Sequence, residues 1–406
     1  MEILEASVPV RVLYVEVNED GTVGGSHQAL YDLVKGLDRE RFEPVVLFYQ
    51  DNSFSDRLRS LDVEVYAFEQ ERARETRVRR GGNPFAKAAD ILAGAVLRRT
   101  RFLRRHSIDL LHLNNSPATG FDDWLPASRL AGIPCISSVM SVAPQTVSFA
   151  MRALMRRFAA VLPVSRYIFE DWARVGVPVE RMRIVHHGVD LEAFRNRVGR
   201  SVEEVRSELG VPPDRLLAVM VANIRKWKGQ HVVLEALALL DEAVRDELFT
   251  VFAGAAGGRD DKYVGSLEEL VKQHGLADSV AFLGPRSDVP DLLSAADIAL
   301  HASIRPEPGG IAVLEAMSLG KPVIAADVGG HAEVMTEDSG FTFDTAHPRE
   351  LAAHLSRLVE SDELRRQVGE RARRRMEEFS IERNVRETQA VYDAVLAGGS
   401  LRAVEP

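Results

Sequence analysis

Cysteine is nearly absent from this chain. Cys135 is the one thiol in 406 residues, so no intrachain disulfide can form, which agrees with a reducing compartment. It sits in Ile133-Pro134-Cys135-Ile136, an apolar run that reads as a buried strand, and packing is its expected role. Long hydrophobic runs are missing too: nothing approaches the roughly 18–20 apolar residues of a membrane span. Met1 to Pro9 carry acids and no basic segment leading into an apolar one, so a secretory leader is not expected and a cytoplasmic location is. No Gly-x-Gly-x-x-Gly is present, which counts against a hydride-transfer dinucleotide enzyme. There is no Asp-x-Asp, no Cys/His cluster and no His-Glu-x-x-His helix, so neither a metal nor a cofactor is expected. No zinc or helix-turn-helix pattern occurs and no aromatics alternate with the arginines, so nucleic acid is not an expected partner.

What the chain has is soluble globular composition, with 46% apolar and 27% charged residues, and enough length for two domains. The net formal charge of −9 conceals an asymmetry: from Glu71 to His106 there are eleven Lys/Arg, beginning at Arg72 and ending at Arg105, against three acids. A segment of this kind suits either a solvated helix face or an anionic surface. The expectation taken from it is a peripheral contact with the inner face of a membrane through Arg72–Arg105.

Short apolar runs alternate with amphipathic stretches, the pattern of a parallel sheet covered on both faces, and the pattern occurs twice. The first series runs through Arg11–Val17, Val45–Tyr49, Val63–Tyr66, Asp109–Leu113, Pro134–Ile136 and Val161–Val164. The second runs through Leu216–Val221, Leu248–Phe252, Val280–Leu283, Ile298–His301 and Pro322–Ala325. Between them, Gly188 and the polar stretch Arg195–Ser207 read as a hinge. The expected class is α/β with two Rossmann-like, doubly wound domains, residues 1–188 and 189–378, and a terminal helix in 379–406.

The densest motif is Pro306-Glu307-Pro308-Gly309-Gly310, which opens into Ile311-Ala312-Val313-Leu314-Glu315-Ala316-Met317. Gly309 and Gly310 lack Cβ atoms, so an anion can approach the first unpaired N–H groups of the helix and the positive end of its dipole. Glu315 lies roughly 7–8 Å further along the axis at about 1.5 Å per residue. Its carboxylate can accept two vicinal hydroxyls, as a ribose offers. Glu307, before the helix, faces the other end of such a ligand, where a hexose would sit. A second cluster, Asn223-Ile224-Arg225-Lys226-Trp227-Lys228-Gly229, follows the first strand of the second series, where an open parallel sheet binds its ligands. Its cations suit a diphosphate.

The Glu307–Glu315 segment resembles the Glu-x7-Glu signature of retaining GT-B glycosyltransferases of family 4, with Gly309 where an aromatic is usual. This resemblance spans nearly the whole chain. It implies two domains facing a central cleft, residues 1–188 binding the acceptor and residues 189–378 the nucleotide sugar, with the terminal helix crossing back onto the first, and it implies roles for single residues. Lys228 would neutralise the leaving diphosphate together with Arg225 or Lys226, Asn223 standing where an arginine is usual. Glu307 would join them as a catalytic residue. Donor binding would involve Gly25, Asn223, Lys228, Arg286, Glu307, Gly309, Gly310, Ile311 and Glu315, Arg286 stacking on the base. Acceptor binding would involve Gly24, Gly25, His112 and Asn114.

The implied reaction moves a hexosyl or N-acetylhexosaminyl unit from a nucleotide sugar, UDP being favoured, to a hydroxyl of a glycan, glycolipid or small molecule, with retention and without metal. The rival readings are a non-catalytic nucleotide-sugar-binding protein and a GT-B phosphorylase that uses inorganic phosphate.

Overall fold

Residues that are apolar at every position, rather than at alternate ones, must be covered on both faces of a sheet. The inner strands of this chain come close to that, and β1 (Val10–Glu16), β2 (Phe42–Phe48), β3 (Glu64–Ala67), β4 (Leu110–Asn114), β5 (Cys135–Val139) and β6 (Ala160–Pro163) pair in the order β3-β2-β1-β4-β5-β6, with β3 partly exposed at the edge. β7 (Leu216–Val221), β8 (Leu248–Ala253), β9 (Val280–Gly284), β10 (Ile298–His301), β11 (Val323–Ala326) and β12 (Phe341–Phe343) pair as β12-β11-β10-β7-β8-β9. All these pairings are parallel. Counted from its own first strand, each sheet therefore has one doubly wound order, reversing direction at β1/β4 and at β7/β10. Such reversals are where ligands bind.

The computed structural model describes residues 8–16, 24–67, 84–115, 123–256, 261–399 and 401. They form two units, Met1–Gly188 with Ile381–Pro406, and Val189–Ser380. Each unit has a hydrophobic cluster on either side of its sheet.

The last helix, Ile381–Leu396, belongs to the first unit. It lies against the helix Gly25–Gly36, where Gly36 is small by necessity: a Cβ there would meet Val385 Cγ2 at 2.8 Å. Asp38 N donates to Gln389 Oε1 at 3.3 Å, and Arg41 pairs with Asp393 at 2.6 Å. Tyr392, wholly buried, meets the Phe42 ring edge-on with centroids 5.5 Å apart. A fully buried large apolar side chain contributes on the order of 1.5–3 kcal/mol. Ile381, Val385, Val391 and Tyr392 supply four buried residues to one core.

Two sequence readings need correction. The stretch Arg195–Ser207 is not a loop: it carries the end of the helix Leu191–Asn196 and most of the helix Val202–Glu208. Asp190 caps the first through Ala193 N at 2.8 Å, and a Ser201/Glu204 capping box starts the second. Reciprocal capping of this kind satisfies orphan N–H groups and outweighs a polar composition. The second correction is β12, which the apolar runs did not announce because it has three residues at a sheet edge.

Part of the basic segment, Arg72–Arg80, lies outside the described residues, as do Gly21–Val23 of the glycine loop. At the described end of that segment Arg101, Arg104 and Arg105 are exposed. Among the described residues no helix is long and apolar enough to cross a membrane.

Candidate active site

Lys228 is placed by the loop that follows β7. The chain leaves the sheet at Val221, makes a 3-10 turn over Lys226–Lys228, and enters the helix Gln230–Ala238 through Gly229 at φ +78°. Only glycine fits at that point, because a Cβ would lie 1.9 Å from the carbonyl oxygen of Ala302. The same close approach brings this loop to the one after β10, and Ile304 N donates to Trp227 O at 2.9 Å. Lys228 Nζ lies 4.3 Å from the centre of the Trp227 ring, a cation–π contact that helps hold the ammonium.

Glu307 is pinned from the other side. Its backbone forms a bridge with Gly329, and Gly330 N donates to Glu307 O at 2.8 Å. Gly329 has φ +83°, and a Cβ there would sit 2.6 Å from Glu307 N. The carboxylate accepts from Lys228 Nζ at 2.7 Å on both oxygens, from His301 Nε2 at 3.0 Å, and from the Ser303 hydroxyl. Burial alone would push its pKa up. The His301 hydrogen bond and the charges of His301 and Lys228 outweigh burial and hold it well below the usual carboxylate range.

Gly310 caps the helix Ile311–Ser318 at φ +55°, and a Cβ there would fall 2.3 Å from His331 Cβ. Gly309 and Glu315 are partly buried and Ile311 is exposed. Glu315 accepts no side-chain hydrogen bond among the described residues. Burial pushes its pKa up to about 7, Arg197 countering only part of that. One motif thus contains a carboxylate held charged and another that titrates near neutrality.

Arg225 and Asn223 are exposed, and Asn223 O accepts from Gln230 Nε2 at 3.0 Å. Arg286, just past β9, is engaged with acids: it donates to Asp288 Oδ1 at 2.7 Å and to Glu208 Oε1 at 2.8 Å. Those hydrogen bonds raise its pKa further. It is therefore a fixed planar cation at the end of β9.

Lys228 and Glu307 are thus brought together. The second unit also contains three residues that sequence reasoning passed over: His301, Ser303 and His331. His301 was legible as a polar end to an otherwise apolar strand. His331 was not, since its place depends on β11 and on the glycine at position 310.

In the first unit Gly24 is the extended cap of the helix Gly25–Gly36, with no atom of the described residues within 4 Å of its Cβ position, and Gly24 and Gly25 are both exposed. Asn114 ends β4 opposite Glu16 at the end of β1. It donates to Glu16 Oε2 and, at 3.1 Å, to Ser26 O of that helix's first turn. Asn114 therefore stands beside the glycine start.

His112 does not. It is wholly buried, with Nδ1 2.6 Å from the Tyr392 hydroxyl and Nε2 2.7 Å from Ser138 Oγ. Tyr392 donates its only proton to Tyr14 at 2.9 Å, so His112 Nδ1–H donates to Tyr392 and Nε2 accepts from Ser138. Burial takes the His112 pKa down to about 3, the neutral ring this pattern needs. In place of an open position for an acceptor hydroxyl, the structure gives His112 a position in the core. Asn114 and Ser138 also line a cavity of about 20 Å³ with Asn384 and Thr388 of the last helix, room for one water.

Residues 23–193 match the model of Glycosyltransferase Family 4, and residues 201–375 match that of Glycosyl transferases group 1. The chain is 32% identical over 264 residues to "Putative glycosyltransferase EpsD" of Bacillus subtilis (strain 168), covering 61% of this chain and 68% of that one. It is 35% identical over 229 residues to a D-inositol 3-phosphate glycosyltransferase of Salinispora arenicola, covering 54% of this chain and spanning only 51% of that relative's length. Among solved structures, Anabaena HepE in complex with UDP has the same fold at a TM-score of 0.76 and 24% identity, covering 95% of this chain and all of that one. Two Rossmann-like units, the two family models in tandem and these relatives agree: the chain belongs to the GT-B glycosyltransferases, with a family 4 N-terminal part and a group 1 C-terminal part.

Proposed function

We propose that the chain transfers a hexosyl or N-acetylhexosaminyl unit from a nucleotide sugar to a hydroxyl acceptor with retention at the anomeric carbon, a UDP sugar being the favoured donor. The observation that carries this reading is Lys228 Nζ at 2.7 Å from both oxygens of Glu307, at the carboxyl edge of a doubly wound sheet. A Gly-capped helix start and Glu315, which accepts no side-chain hydrogen bond among the described residues, continue the same segment. The diphosphate would take Lys228 and the helix start, the ribose would take Glu315, and the hexose would face Glu307. UDP in the structurally similar HepE supports the choice of base.

The developing charge of the leaving diphosphate is the largest target for catalysis, and one well-placed donor contributes roughly 3–4 kcal/mol. In a front-face reaction a diphosphate oxygen takes the acceptor proton, so no separate protein base is required. On this reading Lys228 supplies the cation for the diphosphate, and turnover continues in excess EDTA. The acceptor meets Gly24, Gly25 and Asn114. A lipid-linked acceptor is proposed on the strength of the basic segment Arg72–Arg105, which would rest on the inner face of the membrane.

Incubation with UDP, GDP and ADP sugars, followed by NMR of the product's anomeric proton, tests the proposal. An α-linked product from an α-linked donor is expected. Inversion, or no transfer from any donor in the presence of a broad acceptor panel, would sink it.

A further inference from the structure

Glu307 receives its hydrogen-bond donors unequally. Oε1 accepts from Lys228 Nζ at 2.7 Å, His301 Nε2 at 3.0 Å and the Ser303 hydroxyl, whereas Oε2 accepts, among the described residues, from Lys228 Nζ alone, at 2.7 Å. A carboxylate offers roughly four lone-pair positions, about two on each oxygen. Oε1 therefore has no position left for a further donor, and Oε2 keeps one.

The groups that fill Oε1 are themselves fixed. His301 is 4% exposed and Ser303 is fully buried. His301 ends β10, held in register against β11 by the pair His301/Ala325. Its ring packs on that of His331 with centroids 4.1 Å apart, and His331 Nε2 donates to Ala326 O at 2.8 Å. His331 in turn is backed by Gly310, where no side chain fits. The line of contacts from β11 through both imidazoles ends on one oxygen of one carboxylate. Long side chains at ligand sites seldom hold one rotamer unless neighbours impose it, and packing with shared hydrogen bonds is what imposes it.

We propose that His301 and Ser303 are positioning residues that saturate Oε1 of Glu307, so that Oε2 alone meets a hydroxyl of the donor sugar, and that they thereby set which sugar epimers the site accepts. The inference rests on the nucleotide-sugar reading of this pocket. A carboxylate free to turn about its last torsion accepts hydroxyls from many directions and discriminates poorly. One that presents a single oxygen with one remaining lone pair accepts from one direction, so moving one hydroxyl between axial and equatorial positions forfeits the bond. A hydrogen bond to a charged group contributes roughly 1.5–3 kcal/mol, which corresponds to about 10- to 150-fold in discrimination.

The experiment is titration calorimetry on the full-length protein with UDP, GDP and ADP, then with the glucose and galactose esters of whichever diphosphate binds best. Wild type is compared with His301→Ala, His301→Gln and Ser303→Ala. Expected is an affinity for the free diphosphate within about twofold of wild type in every variant. The glucose-to-galactose ratio should shrink at least tenfold in His301→Ala and, to a smaller extent, in Ser303→Ala. His301→Gln, whose amide N–H can still donate to Oε1, should recover most of the ratio. An unchanged ratio in both alanine variants overturns the proposal. So does a parallel loss of diphosphate affinity, which would mark a structural role only, and so does a wild type indifferent to the epimers. A wild type that binds none of the diphosphates or sugar nucleotides overturns the donor-site reading itself, a result distinct from the others.

Discussion

The two sheets share one strand order, yet their carboxyl edges are built from different chemistry. At the β7/β10 reversal of the second unit stand an ammonium and a carboxylate in contact, with an imidazole donating to the same carboxylate. At the β1/β4 reversal of the first unit the strand ends are tied by Asn114 and Glu16, and the next residues inward form a neutral chain, Ser138–His112–Tyr392–Tyr14. The first arrangement holds charge ready for a charged ligand. The second spends its polar atoms on one another and so stabilises the unit it sits in. Topology supplies the location, and the residues at the strand ends decide whether it binds or braces.

The sharpest way to break this contrast is Lys228→Ala. Turnover should fall by about 10²–10³ if the ammonium stabilises the leaving diphosphate, and the thermal midpoint should drop as well, because Glu307 loses an ammonium that offsets the cost of its burial. Steady-state kinetics with the preferred donor would show it, and a rate within a factor of three of wild type would remove Lys228 from the mechanism.

Glu307→Gln comes next and separates two jobs. Without the carboxylate, Lys228 is no longer neutralised, so free nucleoside diphosphate should bind several-fold more tightly while turnover falls at least tenfold. Calorimetry beside kinetics reads both, and weaker diphosphate binding would contradict the pairing.

For the bracing edge, Tyr392→Phe leaves His112 Nδ1–H without an acceptor and Tyr14 without a donor. A buried unsatisfied group costs about 1–3 kcal/mol. Urea unfolding should show that loss in the first unit, with diphosphate affinity unchanged; a drop in affinity would mean that the two edges are not separate in function.

The smallest effect concerns Glu315. Its folded pKa of about 7 lies above the ordinary carboxylate value. The stability it contributes is therefore complete below the unfolded pKa and is lost as pH rises through about 7. Glu315→Gln should flatten that part of the stability–pH curve, making the variant relatively more stable at pH 8 than at pH 5, and should weaken nucleotide binding at pH 8. Thermal midpoints at the two pH values, with and without UDP, would record it. An identical pH dependence in the variant would show that the carboxyl does not titrate there.

Much of the fold was legible in the chain because β1, β2, β7 and β8 contain apolar runs such as Val12–Val15, Pro44–Phe48 and Leu216–Val221, and such runs admit few structures other than a covered parallel sheet. The helices Leu191–Asn196 and Val202–Glu208 were misread because their signal lies in single capping residues, Asp190 and Ser201, rather than in periodicity. Among the candidate residues, Lys228, Glu307 and Glu315 could be named from local sequence, since each sits on a loop or helix start with a visible chemical character. His301 and Ser303 could not be tied to Glu307 by sequence alone, because a side-chain direction at the end of β10 is settled by its register with β11. His331 lies further still from any local rule, since it needs a positive φ at Gly310 to have room at all. His112 shows the converse: a histidine on a strand near a sheet's carboxyl edge looks exposed to ligand until the last helix is placed over it.

That last helix has a consequence for how the protein is made. The Tyr392 hydroxyl donates to Tyr14, 378 positions earlier in the chain. At a synthesis rate of about 5–20 residues per second, roughly 20–75 s separate the two on the ribosome. During that interval the second unit can be translated in full and fold, whereas the first, although begun earlier, has an uncovered apolar face. The unit translated first is the one finished last. Nascent chains stalled before Ile381 should therefore bind chaperones through their N-terminal part, and a stop codon there would destabilise the first unit, whose core takes Ile381, Val385, Val391 and Tyr392.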